Sequence, residues 1–103
     1  MVEWLAIPGT DTPPTGLAAW LDRMESLGHA PAVDREGSEG AWIEVAPLRL
    51  RGYAVFEGEN VDAINFELHD PDPEPALEWL KSVADGLGWE LYPDDDEGEG
   101  DED

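Results

Sequence analysis

The stretch VDAINFELHDPDPEPALEWLKSVADGLGWELY, Val61 to Tyr92, is the most informative part of the sequence, because its pattern predicts a strand, a helix and a second strand in succession. In its first part, Ile64, Phe66 and Leu68 alternate with residues that are mostly polar. This period of two predicts a half-buried strand, with one face on a core and the other face turned away from it.

The hexapeptide DPDPEP that follows predicts the start of a helix. We expect Asp72 to cap the helix, Pro73 to take its first position and Glu74 to meet the positive end of the helix dipole. Gly88 is expected to end the helix, and Trp89–Tyr92 is expected to form a short last strand. Apolar residues at helical spacing supply the buried face: Ala76, Leu77, Leu80, Val83, Ala84 and Leu87.

The N-terminal part of the chain predicts another strand and helix. Val2–Ile7 is short, apolar and followed by a Pro-Gly pair, which is typical of a strand that ends in a turn. In the next helix we expect Thr15 to be the N-cap and Gly28 to end it in a left-handed conformation. Its buried face has helical spacing: Leu17, Trp20, Leu21, Met24 and Leu27.

The middle of the chain predicts further strands, with a candidate strand at 29–35, a turn at 36–40 and an extended stretch at 41–58 that Pro47 breaks once. The predicted order is β-α-β-β-β-α-β, with about four to five mostly antiparallel strands. This order favours an α+β fold, a ferredoxin-like two-layer sandwich with both helices on one face of the sheet. We expect one compact domain at 1–93 and a disordered acidic tail at 94–103.

Charge is the outlying property of this chain of 103 residues. Its 26 acids and 5 bases give a net charge of −21, and residues 1–93 alone carry −13, so the folded domain is strongly acidic even without the tail. Such a field repels phosphate backbones and anionic lipid headgroups, so we expect no direct binding of nucleic acid or membrane. A basic protein is the favoured partner.

Few residues in the chain are suited to catalysis. There is no Cys, one Lys and no glycine-rich phosphate-binding motif, so we expect no enzyme, no catalytic residues and no cofactor. Glu67 and His69 share one strand face and precede Asp70 and Asp72, but strand-end and helix-cap roles are favoured over a metal site. No run approaches a membrane span and the N-terminus is unlike a signal peptide, so a cytoplasmic protein is expected.

One face of the predicted sheet has a composition typical of an interface. If Ile43 and Val45 face the helices, Trp42 and Glu44 point the other way, onto a side that no helix covers. Aromatic rings among carboxylates on a bare sheet favour partner binding. Cover of this face by a loop or by a homodimer explains the same composition equally well. The predicted partner-binding residues are Trp42, Glu44, Tyr53, Asn65, Glu67 and His69, with Val55 beside them.

The closing segment LEWLKSVADGLGWELYPD, Leu77 to Asp94, together with the small size, the absence of Cys and the acidic body, supports a resemblance. The chain resembles the small acidic α+β immunity proteins and antitoxins of bacterial toxin systems. That resemblance implies an inhibitor whose carboxylates occupy the phosphate-binding groove of a basic toxin. It rests on no diagnostic motif and therefore carries over no functional residue.

Two alternatives use the same composition differently. A DNA mimic would present ordered carboxylates to a nucleic-acid-binding protein, and acids in turns and a tail count against it. A halophilic habitat would also explain many acids and one Lys, with function in a small binding module that is independent of charge. Five Trp are not explained by habitat, and four of them, Trp4, Trp20, Trp79 and Trp89, are expected in or near the core.

Overall fold

The computed structural model describes residues 2–35 and 40–93. The predicted acidic tail at 94–103 and residues 36–39 of the predicted turn lie outside the described residues. A short 3-10 turn at Ala46–Leu48 connects the third strand to the fourth. The elements, in chain order, are β1 (Val2–Pro8), α1 (Leu17–Ser26), β2 (Ala32–Arg35), β3 (Gly40–Val45), β4 (Leu50–Glu57), β5 (Asn60–Leu68), α2 (Glu74–Leu87) and β6 (Trp89–Pro93).

The described strands form one open sheet in the order β2-β3-β4-β5-β1-β6, and every neighbouring pair is antiparallel. The predicted α+β class is confirmed. The strand count of four to five is wrong, because the described part of the chain has six strands. β1 lies between β5 and β6. The two strands of the strand–helix–strand unit at 61–92 are therefore not neighbours in the sheet, because the N-terminal strand is inserted between them.

The extra strand arises at Pro47, where the sequence predicts only a break. Proline has no N–H to donate to a sheet, and here it lies in the 3-10 turn. Arg49 then takes a left-handed conformation, with φ 52°, and the chain reverses so that Leu50 pairs with Val45. Residues 41–57 therefore fold back on themselves as β3 and β4. The candidate strand at 29–35 is also formed, as β2 over its last four residues.

Both helices pack on the same face of the sheet, as predicted. The Trp20 ring of α1 lies 5.8 Å from Phe66 of β5 and 5.1 Å from Trp89 of β6, measured between ring centroids. Leu80 and Val83 of α2 are buried in the same cluster. The expectation for the tryptophans is confirmed: two are buried and two partly buried, namely Trp20 and Trp89, and Trp4 and Trp79.

The start of α1 differs from the prediction. Gly16 is the N-cap, and no side chain caps the helix among the described contacts. The Thr15 hydroxyl donates instead to the carbonyl of Pro13 (3.1 Å) and accepts the indole N–H of Trp89 (3.2 Å). Thr15 as N-cap is therefore wrong, because the buried Trp89 needs a hydrogen-bond partner for its N–H and takes this hydroxyl. Gly28, with φ 107°, follows the helix as predicted.

The start of α2 also lacks the predicted cap. Pro73 is the N-cap residue rather than the first helical one, and no described side chain caps this end. The Asp72 backbone N–H donates to the Asp70 carboxylate at 2.9 Å, so these two residues form a turn of their own. Gly88 ends α2 in a left-handed conformation (φ 79°), as the sequence predicts.

Candidate functional site

The open face is the side of the sheet opposite the helices, and it collects alternate residues from β1, β3, β4, β5 and β6. Ile43, Gly52 and Phe66 form one continuous row of cross-strand partners on the helix side and are buried. Their chain neighbours therefore point to the open face. All of the predicted partner-binding residues lie there: Trp42, Glu44, Tyr53, Asn65, Glu67 and, just after β5, His69, together with Val55.

An aromatic row crosses the middle of this face. Its members are cross-strand partners in sequence: Trp42, Tyr53, Asn65, Leu5 and Tyr92. The Trp42 and Tyr53 rings pack with their centroids 5.0 Å apart and a tilt of 57°. Both rings stay half-buried because they cover each other, whereas Tyr92 is 47% exposed at the edge strand. The row offers a partner rigid rings that are already ordered.

A charged row runs beside the aromatic row and consists of Glu44, Arg51, Glu67 and Glu3, again as cross-strand partners. The Arg51 guanidinium lies 4.3 Å from the centre of the Trp42 ring. The Glu67 carboxylate and the Nε2 of His69 are 3.0 Å apart and form a hydrogen bond. Glu3 lies directly opposite Glu67, a like-charge pair that destabilises a sheet.

A shallow pocket of about 400 Å³ opens where the charged row meets the β3–β4 connection. Its lining residues are Glu44, Ala46, Arg49, Arg51 and His69. Arg49 is the C-cap of the 3-10 turn at Ala46–Leu48, and the His69 backbone N–H donates to the Arg49 carbonyl at 2.9 Å. This hydrogen bond fixes the end of β5 against the connection, so the pocket walls come from three separate parts of the chain.

A tyrosine and a glutamate form a hydrogen-bonded pair on β6, at the edge of the open face. The Tyr92 hydroxyl donates to the Glu90 carboxylate, and this hydrogen bond together with the negative charge of Glu90 raises the pKa of the Tyr92 phenol above 10.0. Tyr92 therefore remains a neutral donor through the whole neutral range. No charged side chain in the described part of the chain is buried, so the acids of the body remain available to a partner.

Sequence reasoning missed several residues of this face: Arg49, Arg51, Leu5 and Ile7, and also Glu3 and Tyr92 of the two rows. Arg51 and Arg49 alternate with Leu48 and Leu50 in the sequence, and extending that alternation from Tyr53 would have placed Arg51 beside it. Leu5 and Ile7 left no such signal, because β1 is apolar on both faces except at Glu3. β1 is an interior strand with a neighbour on each edge, and Leu5 and Ile7 are half-buried on its open face.

Metal-ligating clusters and membrane-spanning helices are absent from the ranges 2–35 and 40–93. No group of three or more His, Cys, Asp or Glu side chains in those ranges could hold a metal ion. No described helix is long and apolar enough to cross a membrane. The open face, with its two rows and the arginine-lined pocket, is the most distinctive surface of the described domain.

The chain matches no known protein family, and no curated protein or solved structure is significantly similar to it.

Proposed function

We propose that this protein is a non-enzymatic inhibitor that binds a basic protein through its open face, in the manner of a cytoplasmic immunity protein or antitoxin. The observation that carries the proposal is the Glu3–Glu67 pair. Two carboxylates opposite each other on adjacent strands weaken the free protein, and cations of a partner would relieve that repulsion. Such a local cost is typical of a surface that is completed by binding.

The net charge supports the same proposal at longer range. A charge of −21 speeds the encounter with a basic surface and suppresses association with acidic ones. Homodimerisation through the open face becomes the less favoured alternative, because it would bring two strongly acidic bodies together. A basic partner has the opposite sign and gains from the same field.

The aromatic row supplies the desolvated contacts that charge alone does not provide. Tightly bound interfaces depend on a few desolvated anchors, among which Trp, Tyr and Arg are enriched. Trp42 lies at the centre of the open face and contacts both Tyr53 and Arg51. We infer that this trio forms the anchor of the complex, with the glutamates at its rim.

The DNA-mimic alternative receives less support from the same surface. A mimic needs carboxylates at regular spacing, whereas the charged row interrupts them: Arg51 lies between Glu44 and Glu67.

We also propose a finer description of the fold. The order β4-β5-β1-β6 with two helices on one face supports a ferredoxin-like unit, to which β2 and β3 add two strands at one edge.

The test is capture of the partner followed by reconstitution. The tagged protein is expressed in its native host and purified at low and at moderate salt, and any stoichiometric basic protein is then produced separately. We expect the purified pair to bind, the partner's toxic or enzymatic activity to be inhibited, and the double variant Glu44→Lys with Glu67→Lys to abolish both effects.

The matched control is Glu25→Lys with Glu78→Lys, which makes the same change in net charge on exposed helical positions. This control should slow association without abolishing the complex, because it alters only the long-range field. Equal loss in both double variants would show that the open face is not the binding surface. Absence of any stoichiometric partner at either salt concentration would overturn the proposal.

A further inference from the structure

The pocket beside the charged row concentrates positive charge on a chain that has little of it. Two of the four Arg and one of the two His in the sequence line it, as Arg49, Arg51 and His69. Sixteen carboxylates are within the described ranges, yet neither arginine forms an ion pair with a described one. Their guanidinium donors therefore remain available to a ligand.

The backbone at Arg49 points to a role for its side chain. It is the one non-glycine residue with positive φ among those described, at 52°. Two hydrogen bonds lock it there, from its own N–H to the Ala46 carbonyl (3.0 Å) and from the His69 N–H to its carbonyl (2.9 Å). Glycine or asparagine suits this conformation better, and strained positions of this kind cluster at functional sites.

Arg51 is held in place by an aromatic ring. Its guanidinium stacks at 4.3 Å over Trp42, and stacking leaves the planar edge of N–H donors unobstructed. A stacked arginine loses less freedom when it binds a planar oxyanion, because its orientation is already set. Both arginines line the same pocket.

We propose that this pocket binds a carboxylate group. Its lining side chains include two guanidinium groups and one carboxylate, that of Glu44, and this balance suits a ligand with one negative charge. A phosphate dianion would be disfavoured by Glu44 and by the strongly negative body. Arginine matches the planar, two-oxygen geometry of a carboxylate with parallel hydrogen bonds. The pocket shares Arg51 and Glu44 with the proposed partner surface, but carboxylate binding is a further property that small ligands test without the partner.

The experiment is an NMR titration of the ¹⁵N-labelled full chain, followed at the arginine Nε–Hε signals and at the backbone amides of residues 44–51 and 69. The probes are sodium acetate, N-acetylglycine, inorganic phosphate and sodium chloride at equal ionic strength. We expect saturable shifts with both carboxylates. Tighter binding of N-acetylglycine would identify a polypeptide terminus as the source, and tighter binding of acetate would identify a small free acid.

Two variants test the assignment to residues. Arg49→Gly removes the guanidinium and also relieves the left-handed backbone, so its melting temperature should equal or exceed that of the wild type. Each of Arg49→Gly and Arg51→Gln should weaken acetate binding about tenfold, because a charge-assisted hydrogen bond is lost. The control is Arg35→Gln, since Arg35 also stacks on a ring, Phe56 at 4.7 Å, but lies outside the pocket.

Three results would overturn the proposal. Chloride would produce the same shifts as acetate if the arginines only sense ionic strength. Phosphate would bind more tightly than either carboxylate if the site selects a dianion. Binding by a folded Arg49→Gly protein with unchanged affinity would remove Arg49 from the site, since that variant retains the turn.

Discussion

The phenol ring of Tyr53 occupies the space in which a Cβ atom on Gly40 would lie. The absence of a side chain at Gly40 therefore allows Tyr53 to lie across β3 and pack against Trp42. A glycine at this strand position costs backbone entropy, and the cost is offset by the ordering of two aromatic rings on the open face.

We predict that Gly40→Ala destabilises the protein by about 1–3 kcal/mol, the range for overpacking a well-packed site. The added methyl group overlaps the Tyr53 ring and must displace it from Trp42. Urea unfolding measures the loss of stability, and near-UV circular dichroism measures the loss of the ring pair. The control Gly16→Ala, where a Cβ meets only the Glu59 carbonyl at 3.7 Å, should cost less than about 1 kcal/mol. Equal costs for the two variants would contradict the steric argument.

Tyr92 provides a prediction about pH. Its pKa is raised above 10.0 by the hydrogen bond to Glu90 and by the charge of that carboxylate, so the folded state favours the neutral phenol. Any stability that this interaction adds is complete below the unfolded pKa and is lost as the pH rises through the higher folded pKa. Glu90→Gln should lower the pKa of Tyr92 toward 10.0, as followed by tyrosinate absorbance or by NMR. Glu44→Gln should leave it unchanged, and an unshifted Tyr92 in Glu90→Gln would refute the stated cause.

At the scale of elements, α1 and α2 meet through a side chain that lies across a glycine. The Arg23 guanidinium takes the place of a Cβ on Gly86 and donates to the Ser82 carbonyl at 3.0 Å. The Arg23 Nε is buried and has no hydrogen-bond partner among the described residues. Helix propensity alone would favour alanine at Gly86 by about 1 kcal/mol, so the arginine explains the glycine.

A double-mutant cycle tests this relation. Gly86→Ala in the wild type should gain less than the helix-propensity benefit or should lose stability, because the methyl group displaces Arg23 from Ser82. In an Arg23→Ala background the same change should stabilise the protein by about 1 kcal/mol. The resulting coupling energy, measured by urea unfolding, should lie in the range of about 0.5–3 kcal/mol for residues in contact. Additive effects would rule out the contact.

The pairing of β1 with β5 gives a second prediction at this scale. Glu3→Gln removes the like-charge pair with Glu67 and should raise the free energy of unfolding of the free protein by about 0.2–1 kcal/mol. The same change should weaken binding of the proposed basic partner, so stability and affinity move in opposite directions. Glu25→Gln, an exposed helical control, should change neither property by a comparable amount. A gain in stability together with unchanged affinity would separate Glu3 from the interface.

Elements with several independent signals were predictable, and those that depend on distant partners were not. The helix α2 has an apolar face, prolines before it and Gly88 after it, and all of these are local. The role of Thr15 was not predictable, because its hydroxyl is taken by Trp89, which is distant in sequence. The open face followed from the period of two in β3 and β5. The order of strands depends on the insertion of β1 between β5 and β6, and the sequence of β1, which is apolar on both faces except at Glu3, does not specify that position.

At the scale of the whole molecule, most of the cationic side chains lie over aromatic rings rather than beside carboxylates. Arg35, Arg51 and Lys81 lie over Phe56, Trp42 and Trp4, respectively. Most acids in the described ranges therefore remain uncompensated by neighbouring cations. A body of this kind repels itself, and this repulsion opposes the compact state.

We therefore predict that sodium chloride stabilises the protein. Screening that recovers about 1 kcal/mol would raise the melting temperature by about 4–8 °C for a domain of this size. Thermal unfolding followed by circular dichroism over a series of salt concentrations measures the effect. The variant Glu25→Gln with Glu78→Gln, which carries two fewer charges, should show a smaller rise. A melting temperature that is independent of salt would contradict the expected self-repulsion.

The position of β1 between β5 and β6 also has a consequence for biosynthesis. β1 precedes every other described element, yet both of its neighbours in the sheet are the latest strands. A growing chain therefore displays β1 without a native neighbour until β5 has emerged, and without its second neighbour until Pro93 has left the ribosome. Long-range pairing of this kind slows folding and leaves aggregation-prone segments exposed until folding is complete. Repulsion between the negative charges of such nascent chains opposes their association until the last strand has been synthesised.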